Sequence, residues 1–128
     1  MNSPQSGFWD RLGISFSGLC AIHCMLAPVI ASLIPLWPSL EEFNEYAHFA
    51  FILFIAPTVY LSLKIKHESR SAIMFMVIGL MIIIAAWFLE DILGEYGEAA
   101  VTFVGSGFLI RGHWLNYISK KRKNYEAA

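Results

Sequence analysis

The stretch MFMVIGLMIIIAAWF, residues 74–88, decides the fold. It carries no charge, and its apolar character extends to about 72–89. A helix that crosses a hydrocarbon core of roughly 30 Å needs about 20 such residues. The stretch therefore reads as a transmembrane helix. Three further apolar runs flank it, at about 12–36, 46–63 and 99–118. The first and last of the four are richer in small and polar residues and read as packed inward, because small residues let helices approach closely. The connections are short. Pro35, Pro38, Glu41, Glu42 and Glu45 mark the first, KIKHESR the second and EDILGEYGE the third. Short links between neighbouring helices imply antiparallel packing. The expected fold is all-α, a four-transmembrane-helix up-and-down bundle in one domain over 1–128.

Composition agrees. Hydrophobic residues make up 57% of the chain and charged residues 15%, against about a quarter charged in soluble domains. The net charge of -1 gives no footprint for nucleic acid. Both cysteines lie inside an apolar run, so a secreted disulfide scaffold is excluded. The opening MNSPQSGFWDRLG lacks a basic region running into a short apolar core, so no cleaved signal peptide is expected. There is no nucleotide-binding loop to power transport by ATP hydrolysis, and nothing calls for an enzyme.

Lysine and arginine set the orientation. Arg11 precedes the first run, Lys64, Lys66 and Arg70 lie in or beside the second connection, and Lys120, Lys121, Arg122 and Lys123 form the tail. The first and third connections carry neither residue. The positive-inside rule places both termini and the second connection in the cytoplasm. Trp37, Tyr46, Tyr96 and Tyr117 fall near interfaces, where amphipathic rings settle. The basic tail reads as a stop signal and anchor to anionic lipid.

The chemistry lies in the polar residues of the runs. In GLCAIHCMLAP, Cys20, His23 and Cys24 project within an arc of roughly 100°. They share that stripe with Gly13, Ser17, Ala27 and Ala31. Thiolate and imidazole are ligands for soft or borderline ions such as Zn²⁺, Cu⁺ or Hg²⁺. A buried cysteine can also serve as a small hydrophobe, but an ionisable histidine within a span is costly and usually functional. Pro28 frees the carbonyl of Cys24 or simply kinks the helix, and Pro57 carries the same ambiguity. In FLIRGHWLNY, His113 and Asn116 share a face, Gly112 permits close approach, and Arg111 points nearly the opposite way. At 1.5 Å per residue, Cys20 lies ~12 Å and His113 ~8–9 Å above the cytoplasmic side. His113 is thus expected to join the cysteines, with Asn116 orienting it. His48, just inside the outer end of the second run, is a further candidate ligand. Glu45, Glu90 and Asp91 form a candidate acidic mouth that concentrates cations. His67 reads as a surface residue.

These residues resemble the MerC family of bacterial inner-membrane proteins. The segments GLCAIHC and GHWLN carry the resemblance, which covers most of the chain. It implies mercuric ion uptake, with Cys20 and Cys24 receiving the ion in the membrane and passing it inward. Two departures stand out: the pair is spaced C-x-x-x-C rather than C-x-x-C, and the tail ISKKRKNYEAA holds no cysteine pair. Two thiols with His23, His113 and His48 would suit four-coordinate Zn²⁺, while linear Hg²⁺ needs only the two sulfurs. The rival readings are a membrane thiol oxidoreductase, a haem protein and a structural subunit. The unequal depths of His48 and His113, over ~10 Å apart, disfavour a shared haem. Four thin helices enclose little volume, which makes a homodimer a natural expectation.

Overall fold

In the computed structural model, residues 7–64 and 69–127 are described. Lys66 and His67 of the basic connection lie outside them, as do the side chains of Ala27 and Pro28. The element order is α1 (Phe8–Leu33), a short 3-10 turn (Ile34–Leu36), α2 (Ser39–Lys64), α3 (Arg70–Phe88) and α4 (Glu90–Ala127). Among the described residues there is no strand, so the all-α expectation holds.

The helices run longer than the apolar runs. α2 begins at Ser39 and takes in Glu41 and Glu42, which the sequence reading assigned to a connection. Carboxylates in a first turn suit the positive end of the helix dipole, so acidic residues there extend a helix rather than end it. α4 likewise starts at Glu90 and continues through the basic tail. Its one irregularity is Gly94, at φ 69 and ψ 169, a region essentially reserved for glycine. α3 is capped by Ser69, whose hydroxyl accepts from the Ala72 amide at 3.4 Å.

The expected four spans are only partly met. Ser39–Lys64 and Arg70–Phe88 are long and apolar enough to cross a membrane, and Phe8–Leu26 with Val29–Leu36 makes a third across a bend of 49°. α4 falls short because Arg111, His113 and Asn116 interrupt its apolar stretch.

Contacts fix the topology. Asp10 meets Asn116 and Lys120, so α1 and α4 are antiparallel. Phe16 stacks on Phe54 and His23 on His48, which makes α1 and α2 antiparallel too. Phe49 against Trp87 does the same for α2 and α3. α4 packs chiefly on α3 and α1, and α2 lies diagonal to it. One end of the bundle gathers Arg11, Lys64, Arg70 and the Lys120–123 cluster. The other gathers Glu41, Glu45, Glu90, Asp91 and Glu95.

Each helix buries a narrow stripe. On α1 it is Asp10, Gly13, Ser17, Cys20 and Cys24. On α3 it is Ala72, Met76, Gly79, Ile83 and Ala86. Small residues bring α3 and α4 together: a Cβ on Gly79 would lie 2.8 Å from the Gly105 carbonyl oxygen and the Leu109 amide nitrogen. The outward faces are apolar, with Leu19, Ile22, Leu53, Met74, Met81 and Val104 all exposed. An exposed apolar surface of that extent needs a nonaqueous neighbour.

Candidate functional site

Cys20 and Cys24 face the interior of the bundle, 1% and 5% exposed, and both are free thiols. Their spacing of four places them one turn apart on the buried stripe of α1. Beside the Cys20 sulfur stand the Cys24 thiol and, on α4, Ser106, whose hydroxyl donates to the Thr102 carbonyl at 3.0 Å. Cys20 also lines a cleft of about 10 Å³ with His48, Glu98 and Thr102, roughly the room of one water molecule. Cys24 lies at an apolar groove of about 420 Å³ with Met25, Tyr96 and Phe103.

Next to the thiols stands a buried acid–base pair. His48 Nδ1–H of α2 donates to Glu98 Oε1 of α4 at 2.5 Å, and both side chains are nearly inaccessible. This pair ties the two diagonal helices across the core. The His23 ring meets the His48 ring edge-on at 5.2 Å and lies 5.5 Å from Phe51. Among the described residues, neither His23 nitrogen has a hydrogen-bond partner.

His113 is held elsewhere. Its Nδ1–H donates to Asp10 Oδ1 at 3.2 Å, with Ser62 Oγ of α2 at 3.5 Å from the same nitrogen. Asn116 Nδ2 donates to both Asp10 oxygens, at 3.0 and 3.2 Å, and Lys120 Nζ to Oδ2 at 2.8 Å. Asp10 is fully buried. Gly13 makes room for the imidazole, since a Cβ there would collide with His113 Nε2. Gly13 and Cys20 are seven residues apart, about 10 Å along α1. The expected junction of His113 with the thiols is therefore not formed, because the buried carboxylate binds His113 at the basic end. Asn116 reaches His113 only through Asp10, so it does not orient the ring by a direct bond. Arg111 is exposed on the opposite face, as expected.

The acidic residues gather at the end of the bundle away from the basic cluster. Glu45, Glu90 and Asp91 line a cavity of about 260 Å³ with Trp87 and Phe88. Glu45 and Glu90 also line one of about 130 Å³ with Glu41, Asn44 and Glu95. Burial, then the Glu98 and Glu45 carboxylates, push the Glu90 carboxyl above its usual range. His48 does not line either cavity and is paired to Glu98.

Three residues escaped the sequence reading. Asp10 continues the α1 stripe three positions before Gly13, Glu98 stands four before Thr102 on the α4 stripe, and Lys120 four beyond Asn116. Helical spacing alone would have found each. Among the described residues, no group of three or more His, Cys, Asp or Glu side chains is arranged to hold a metal ion.

Apolar outward faces around a core of thiols, imidazoles and carboxylates define a membrane protein. A family model described as MerC mercury resistance protein matches residues 10–118, and the chain belongs to that family. The resemblance carried by GLCAIHC and GHWLN thus holds. Comparison with curated proteins and with solved structures gives no match.

Proposed function

We propose that this protein carries a soft metal ion, with mercuric ion as the cargo, across the bacterial inner membrane, and that it is a carrier rather than an enzyme. In this reading α1 to α4 each cross the bilayer, and both termini lie in the cytoplasm, where the basic end belongs. The observation that carries it is the thiol pair: two free, buried cysteines one turn apart in the core of a MerC-family chain. A two-coordinate ion needs only two sulfurs. The lack of a third converging donor among the described residues favours Hg²⁺ over tetrahedral Zn²⁺. The acidic mouth of Glu45, Glu90 and Asp91 gathers cations. His23 and His48 then stand between the mouth and Cys20. Their imidazoles are relay groups for an ion in transit.

The test is elemental analysis of detergent-purified protein loaded with HgCl₂ or ZnCl₂, beside a Cys20→Ser/Cys24→Ser variant. About one mercury per chain is expected in the parent and none in the variant. Because capture replaces S–H bonds, mercury affinity in a competing-ligand assay should rise with pH below the ordinary thiol range. Equal mercury in parent and variant would refute thiol capture.

A further inference from the structure

We propose that Trp87 is the gate between the acidic end of the bundle and the thiol pair. This rests on the thiol reading above and names a residue that controls entry to that site. The observation is a shared wall. Trp87 lines the cavity of about 260 Å³ with Glu45, Glu90 and Asp91. It also lines the cleft of about 10 Å³ that Cys20 shares with His48 and Glu98. Among the described residues, no other lines both. The two spaces differ in character. The first is roomy and walled by carboxylates. The second has room for about one water molecule and ends on a sulfur. A cation gathered at the carboxylates therefore meets the indole before it meets Cys20.

The sequence sets this ring at a margin. Trp87 lies in the last turn of α3, one position beyond Ala86, where the buried stripe of that helix ends. The indole is half-buried as a result. It leans on Phe49 of α2, with ring centroids 6.1 Å apart, and on its neighbour Phe88 at 5.1 Å. Phe49 is itself 50% exposed and lines neither space, so it acts on the passage only by positioning the indole. Rotation about the side-chain bonds moves an indole between staggered positions without shifting the backbone. The polar walls of the cleft are less free, because His48 and Glu98 are bonded to each other and tie α2 to α4. Trp87 is the wall that can turn aside.

The experiment reads Cys20 as a single thiol. The chain has two cysteines, so Cys24→Ser leaves Cys20 alone. Full-length protein in detergent is mixed with trimethylammonioethyl methanethiosulfonate, a cation, or with sulfonatoethyl methanethiosulfonate, an anion. Labelling is followed by mass spectrometry. In this background Trp87→Ala should react with the cation about tenfold faster, and Phe49→Ala severalfold faster, the scale on which one aromatic contact biases a closed against an open arrangement. The anion should gain less, because the carboxylates stand before the gate. Trp114→Ala, at the exposed Trp114 beside Tyr117, should leave both rates unchanged. Circular dichroism confirms that each variant is folded, and Phe49→Ala decides the matter if Trp87→Ala is not. An unchanged cation rate in a folded variant would overturn the gate. So would an equal gain for both reagents, which would mean that the opened route does not pass the acidic cavity. Failure of the thiol reading looks different: the parent binds no mercury, while the labelling rates still respond to Trp87.

Discussion

In an Asp10→Ala variant the bundle is expected to lose about 3–5 kcal/mol of stability, the cost of removing one partner from a buried ion pair. The argument is geometric. Three donors from three successive turns of α4 converge on one carboxylate at the first turn of α1. Alanine removes the acceptor and leaves the buried donors without it, and an unsatisfied buried group costs its full desolvation. Asp10→Asn keeps an acceptor oxygen but loses the charge opposite Lys120, so it should fall between parent and alanine. Thermal unfolding in detergent, followed by far-ultraviolet circular dichroism, measures both. A loss under about 1 kcal/mol in Asp10→Ala would mean that the cluster does not hold α1 to α4.

The second large effect belongs to the crossing of α3 and α4. Gly79→Val should cost about 3 kcal/mol, the upper end of the range for overpacking. A Cβ at position 79 would meet the Gly105 carbonyl oxygen and the Leu109 amide nitrogen at 2.8 Å. Those are backbone atoms and cannot rotate aside, so the helices must separate. Gly18 and Gly107 provide the contrast, because a Cβ at either meets nothing within 4 Å. Gly18→Ala and Gly107→Ala should therefore be neutral or slightly stabilising, since alanine favours helix by about 1 kcal/mol. The same unfolding assay separates the two classes. Equal effects at 79 and 107 would show that close approach at Gly79 does not govern stability.

The long apolar run at 74–88 was readable because a sequence this apolar has few other stable solutions. The stripe of Gly13, Ser17, Cys20 and Cys24 was readable from spacing. What escaped was charge inside the bundle. Asp10 looked like the polar margin before a span, and Glu98 like part of a solvated connection rich in glycine. Both are buried, and each carries a histidine partner more than forty positions away in sequence. No local pattern predicts that pairing. The depth estimate put His113 beside the thiols because it treated height alone as proximity. The carboxylate one helix away decided the matter instead.

The buried positions of α1, Asp10, Gly13, Ser17, Cys20 and Cys24, advance by three and four residues in turn. That is a seven-residue repeat, slightly shorter than two full turns of a straight helix, so the seam winds with a left-handed coil. Asp10 and Cys24 stand two repeats apart, about 21 Å along the axis. Carboxylate and thiol are therefore held in phase by the count of residues between them. One residue inserted or deleted in that interval would rotate one group by about 100° away from the other, whereas seven would restore the alignment. The spacing of the two polar centres is thus encoded as a length, as strictly as the residues themselves are encoded as letters.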